Sequence, residues 1–133
     1  MELEGRVAIV TGASRGVGAA TAVALAAAGA SVVCAARATD EAPLPIPGTI
    51  DDTVRVITEA GGIAFARPTN LAVDADIESM VDDTVERFGR VDILINNAAI
   101  TFPGDLELPV KRFDLIRAKL HDIGDWSATA RIS

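Results

Sequence analysis

The chain has no tyrosine, and only one cysteine, one histidine and one tryptophan among its 133 residues. A single cysteine excludes an internal disulfide. Cys34 lies in an apolar stretch and reads as a buried, unreactive thiol. Basic residues are also scarce, 12 against 19 acidic ones, giving a net charge of -7. Charge of that sign repels nucleic acid phosphates and anionic lipid surfaces, so neither a nucleic-acid nor a membrane partner is expected. A bound phosphate group would need a local basic spot. No run approaches the roughly 20 consecutive apolar residues of a membrane-spanning helix, and the N-terminal MELEGR has no basic flank leading into an apolar signal segment. A cytoplasmic location is the expectation. No metal site is assigned.

Half of the residues are apolar, enough at this length for the core of one domain. The chain is organised around Val7 to Gly18, VAIVTGASRGVG. An apolar strand (Val7 to Val10) runs into Thr11 and Gly12, and then Gly16 and Gly18 open an alanine-rich helix. Strand, glycine turn and helix together offer free backbone N–H groups at the positive end of a helix dipole, and the missing Cβ atoms let a pyrophosphate approach the main chain. Glycines at turns and helix starts often serve conformation alone, but the flanking strand and helix supply the context a dinucleotide site requires.

The spacing of Thr11, Gly12, Gly16 and Gly18, a TGxxxGxG pattern, resembles the short-chain dehydrogenase/reductase family. The resemblance runs from Gly5 to about Leu120, most of this chain but about the first half of a family domain. It implies cofactor contacts at Thr11, Gly12, Ser14, Arg15, Gly16, Val17 and Gly18.

From Gly16 the helix GVGAATAVALAAAG is nearly all small residues, with Val17, Ala20, Val23, Ala24 and Ala27 or Ala28 available to face a sheet, and Gly29 ends it. Ser31 to Ala36 (SVVCAA) is a continuously apolar strand of the kind buried on both faces of a parallel sheet. At its end an NAD site carries an Asp or Glu for the ribose 2′-hydroxyl. Here Ala35, Ala36 and Arg37 stand instead, and the forked guanidinium of Arg37 suits a 2′-phosphate, with Arg15 approaching from the glycine turn. Both arginines also read as ordinary surface residues; the absent acid favours NADP over NAD.

Pro43, Pro45 and Pro47 with Gly48 forbid helix and central strand between Ala38 and Ile50, so this is an extended surface insertion. A helix begins near Asp51 and Asp52, presents Val54 and Ile57, and stops at Gly61-Gly62. The proline insertion followed by GTIDDTV is similar to the hydroxysteroid dehydrogenase-like branch of the family. Ile63 to Arg67 is a third strand closed by Pro68. The resemblance places the adenine contact just beyond it, at Asn70 and Leu71, where the Asn70 side-chain carbonyl replaces the usual acid. Asp74 caps a helix whose Ile77, Met80, Val81, Val85 and Phe88 share a core-facing side.

Val91 to Ile95 (VDILI) is the fourth strand, and Asn96-Asn97-Ala98-Ala99 after it resembles the family's Asn-Asn-Ala-Gly element. By that resemblance Asn96 stabilises the sheet and the backbone at Ala98 lies beside the cofactor's ribose. A last helix is expected from Pro109 to Leu120, where KRFDL again looks like the family. His121 reads as an exposed lone histidine. Carbonyl/alcohol hydride transfer needs a proton donor or acceptor at the substrate oxygen; the family uses Tyr-x-x-x-Lys with a Ser. This chain has no tyrosine, and Lys111 and Lys119 lie in the wrong element to substitute, so no catalytic residue is named.

The fold expected is α/β, a Rossmann-type doubly wound parallel sheet truncated after about four strands in order 3-2-1-4. Residues 1–123 form the partial NAD(P)-binding domain and 124–133 a divergent tail. The function implied is NADP-dependent alcohol/carbonyl oxidoreduction, present here as the cofactor-binding half, with a small alcohol or carbonyl substrate only in a full-length form. Two other readings stand beside it: a non-catalytic nucleotide-binding or self-associating module, and a gene fragment without function of its own. As an edge, VDILI would expose backbone donors and apolar side chains together. Self-association is therefore expected unless the tail, another chain or a remainder of the protein covers it.

Overall fold

A computed structural model of the chain describes residues 2–42, 44, 48–97, 116, 118, 119 and 128–131. The elements run β1 (Val7–Thr11), α1 (Gly16–Ala27), β2 (Ser31–Ala36), α2 (Ile50–Glu59), β3 (Ile63–Pro68), α3 (Asp74–Phe88), β4 (Ile93–Asn96) and β5 (Ala128–Arg131). All strand pairs are parallel, in the order β3-β2-β1-β4-β5. The first four strands have the expected 3-2-1-4 order.

Alternate residues of the central strands feed two cores, which is why their sequences read as unbroken apolar runs. Ile9, Val33, Ala35 and Leu94 point to one face, where Ile77, Met80 and Val81 of α3 and also Ile116 close over them. Val10, Val32, Cys34 and Ile95 point to the other, under Ala22 and Ala26 of α1 and Ile50 and Ile57 of α2. Cys34 is fully buried, and that burial pushes its thiol pKa up to about 12, so the sulfur is inert at neutral pH. Among the described residues no helix is long and apolar enough to cross a membrane.

Four local expectations change. The buried side of α1 is Gly18, Ala22 and Ala26, while Val17, Ala20, Ala24 and Ala27 are exposed. A helix made almost wholly of alanine carries no polar stripe to mark its wet side, so periodicity has nothing to read. The N-cap of α3 is Val73, with Asp74 the first helical residue; its charge still suits the helix start. Helix α2 begins one residue earlier, with Thr49 as N-cap in a complete capping box with Asp52. Strand β4 starts at Ile93, and Asp92 just before it pairs with Arg6 and Arg90.

The fourth strand is not the sheet edge. Ile93, Leu94, Ile95 and Asn96 stand in register with Ala128, Thr129, Ala130 and Arg131 of β5, so part of the tail pairs with the strand expected to be open. Ala98, Ala99, the segment 102–104, most of the helix expected from Pro109 to Leu120, and His121 lie outside the described residues.

Candidate functional site

Of the expected cofactor residues, Thr11 to Gly18, Arg37 and Asn96 lie at the carboxyl end of β1, β2 and β4. Thr11 ends β1, fully buried and in register with Asn96 of β4. Its hydroxyl donates to Asn96 Oδ1 at 2.9 Å and accepts from the Asn97 backbone N–H at 3.1 Å. One small hydroxyl therefore ties the ends of two central strands together. It also explains why a polar pair is tolerated where an apolar strand ends.

The chain then leaves β1 through Gly12, whose N–H is held by the Ala35 carbonyl at the end of β2 (2.8 Å). Gly12 (φ 67°) and Gly16 (φ 57°) both take the left-handed backbone that other residues resist. Gly18 is required for a different reason. A Cβ there would overlap the Gly12 carbonyl oxygen and stand 2.5 Å from Asn97 Nδ2, so helix and turn pack directly on one another. Asn97 thus belongs to the site, a role that a turn-forming Asn pair does not announce in sequence.

Helix α1 starts without a side-chain cap. Its N-cap Arg15 is extended (φ −164°), and no acid stands in the first turn. The first N–H groups of a helix have no partner inside it, so this end presents donors and a positive dipole with no carboxylate in its first turn. A Cβ at Gly16 would meet nothing within 4 Å, and Val17 beside it is 59% exposed. A phosphate can therefore reach the main chain. These features fit a dinucleotide's pyrophosphate.

Arg37 follows β2 and is exposed, with no ion-pair partner among the described residues, and Ala36 stands where an acid would select NAD. The nearby acids Asp40 and Asp52 are both engaged by Arg55; the Arg55 hydrogen bond, with a second from Thr49, holds the Asp40 carboxyl below its ordinary range. Ser14 is buried. The groove of about 500 Å³ between α1 and α2 meets the turn only at Ser14. Its other walls include Ala20, Val23, Ala24 and Val56, which offer nothing to a phosphate.

Past β3 the expectation is altered. Asn70 Oδ1 accepts from the Ala72 N–H at 2.9 Å, and the Asn70 N–H donates to Asp76 at 2.8 Å. That carbonyl closes its own Asx turn, so one lone pair and the amide group remain for a base. Leu71 packs against the α3-side core. Lys119 pairs with Asp82 on α3 at 3.3 Å, away from the carboxyl end of the sheet.

A parallel sheet of this order, with an acid-free glycine turn at its carboxyl end, defines the Rossmann-type class of dinucleotide-binding folds. The sequence model of the short chain dehydrogenase family matches residues 6–117, and the chain belongs to that family. Similar proteins include Hydroxysteroid dehydrogenase-like protein 2 of Danio rerio, 42% identical over 116 residues, covering 86% of this chain and 28% of that protein. The same-named protein of Rattus norvegicus is 43% identical and 22% covered. The chain thus spans about a quarter of the length of these curated relatives. Among solved structures, a metagenomic short-chain oxidoreductase in complex with NADP superposes with TM-score 0.84 at 29% identity, covering 100% of this chain and 64% of that one. A short chain dehydrogenase from Mycobacterium paratuberculosis bound to NAD superposes with TM-score 0.80 at 27% identity, covering 100% and 57%.

Proposed function

We propose that this chain binds a nicotinamide dinucleotide at the carboxyl end of its sheet, NADP in preference to NAD. The observation that carries this reading is the uncapped, acid-free start of α1 together with an exposed Arg37 just past the end of β2, with alanine where an NAD site needs a carboxylate. The pyrophosphate would lie on the turn from Gly12 to Val17, and the 2′-phosphate between Arg15 and Arg37. Thr11, Asn96 and Asn97 hold that floor in place. The ribose contact at Ala98 and the adenine contact at Asn70 and Leu71 belong to the same reading.

A bound nicotinamide supplies the hydride donor or acceptor for alcohol/carbonyl interconversion. The residues of this chain bind and orient it. With no tyrosine in the sequence, the substrate proton has no partner of the family's kind. We therefore assign cofactor binding, and not the proton transfer of alcohol/carbonyl turnover, to these 133 residues. The pairing of β5 with β4 supports a module that folds by itself over a self-associating fragment, because the β4 edge that motivated association is paired.

Fluorescence titration of NADPH into the purified chain is expected to show saturable binding, with no oxidation of NADPH across panels of ketones and aldehydes. Oxidation that rises in proportion to protein concentration would contradict the non-catalytic assignment.

A further inference from the structure

The insertion between β2 and α2 returns onto the glycine turn. Its two ends are tied together. The Ile50 N–H donates to the Ala38 carbonyl (2.9 Å), the Asp40 N–H to Asp51 Oδ2 (2.8 Å), and the Thr49 hydroxyl to Asp40 Oδ1 (3.0 Å). Arg55 bridges Asp40 at 2.7 Å and Asp52. Thr49, buried as the N-cap of α2, fixes its neighbour Gly48, whose φ is +107°.

Gly48 lies against the turn. A Cβ there would stand 2.6 Å from the Ser14 carbonyl oxygen, closer than folded proteins allow, and 3.0 Å from Arg15 Cβ, a tight contact. One turn into α2, the buried Thr53 hydroxyl donates to the Ala13 carbonyl at 2.6 Å. Ala13, Ser14 and Arg15, the three residues leading into α1, therefore rest on the insertion and on α2 as well as on the end of β2.

We infer that Gly48 and Thr53 are positioning residues for the cofactor: they set where Ser14 and Arg15 stand, and so the affinity of the turn for the dinucleotide's phosphates, without touching the cofactor. This rests on the reading that the turn holds a dinucleotide. Because the insertion is tied at its base, an added Cβ at Gly48 presses directly on the Ser14 main chain. Hydrogen bonds to a phosphate weaken steeply with such misplacement.

Gly61 supplies a matched control, since its φ is +89° but a Cβ there meets nothing within 4 Å. Gly61→Ala carries the left-handed backbone strain alone; Gly48→Ala carries the strain and the collision. In NADPH titrations Gly48→Ala is expected to weaken binding about tenfold or more, with Gly61→Ala within about twofold of the unmutated chain and thermal midpoints confirming that both fold. Thr53→Val is expected to weaken binding several-fold and Thr53→Ser to restore it. Equal affinities for the two glycine variants, or a Thr53→Val chain that binds like the unmutated one, overturn the inference. If the unmutated chain binds no NADPH, the functional reading falls on its own. The inference is then decided by the amide NMR signals of Ser14 and Arg15, which Gly48→Ala moves and Gly61→Ala does not if it holds, and which Gly48→Ala leaves in place if it fails.

Discussion

The two ends of one sheet are built from opposite materials. At the amino end, Asp92 is 2% exposed, accepts from the Val7 N–H at 2.9 Å, and pairs with Arg90 at 2.6 Å and Arg6 at 3.3 Å. At the carboxyl end of the same strands, Thr11, Asn96 and Asn97 make neutral hydrogen bonds, and the first turn of α1 has no acid. A buried charge closes the first end, whereas the first turn of α1 at the second carries none. Burial alone raises the Asp92 carboxyl, but the Arg90 hydrogen bonds, the Val7 amide and Arg6 pull it down further, so its net pKa is lowered. A carboxylate placed likewise at the carboxyl end would repel a pyrophosphate. The amino end therefore serves stability alone, while in the proposed reading the carboxyl end carries the binding as well.

Substitution at each end sharpens that division. The largest effect is expected from Asp92→Ala, which leaves the buried Val7 N–H without its acceptor and removes a carboxylate from two arginines. A loss of about 2 to 3 kcal/mol in urea denaturation is expected, with NADPH affinity of the folded fraction unchanged. A fall in affinity as large as the fall in stability would break the division. Gly18→Ala at the opposite end forces a Cβ into the Gly12 carbonyl and the Asn97 side chain. Overpacking of this kind costs about 1 to 3 kcal/mol, and here NADPH binding should also weaken, about tenfold or more. Thr11→Val removes the hydroxyl between Asn96 and Asn97 and is expected to lower stability by about 1 kcal/mol, read as a small drop in the thermal midpoint.

The smallest effect is one of pH. Because the Asp92 pKa is lower in the folded than in the unfolded chain, its contribution is complete above the unfolded value of about 4 and is lost as pH falls through the folded value. Urea midpoints should decline below about pH 4, and Asp92→Asn should flatten that part of the profile. An unchanged slope in Asp92→Asn would move the acid sensitivity elsewhere.

The central sheet was legible because strands buried on both faces must be continuously apolar, and Val7 to Val10, Ser31 to Ala36 and Ile93 to Ile95 are so. The glycine turn was legible because its spacing reflects backbone requirements that only glycine meets. The amphipathic face of α3 emerged from its spacing, whereas the alanine of α1 hid its buried side. Asp92, inside VDILI, looked like part of a strand, and nothing local marks a carboxylate whose partners lie 86 residues back and two residues away. The tail gave no signal for β5, since ATAR is a short stretch without an apolar run or a clear alternation. Thr49 with Asp52 three residues on is a capping-box spacing, a local signal in the sequence for the start of α2.

The central claim is that the carboxyl end of this sheet is a dinucleotide site tuned by Arg37 and by the missing acid at Ala36. Parallel titrations of NADPH and NADH into the unmutated chain and into Arg37→Ala test it most directly. A charge-assisted contact to the 2′-phosphate contributes about 1.5 to 3 kcal/mol, so NADPH should bind about ten- to a hundredfold more tightly than NADH, and Arg37→Ala should bring the two together by weakening NADPH alone. Equal affinities for both cofactors in the unmutated chain, or a preference that survives loss of Arg37 intact, would contradict it.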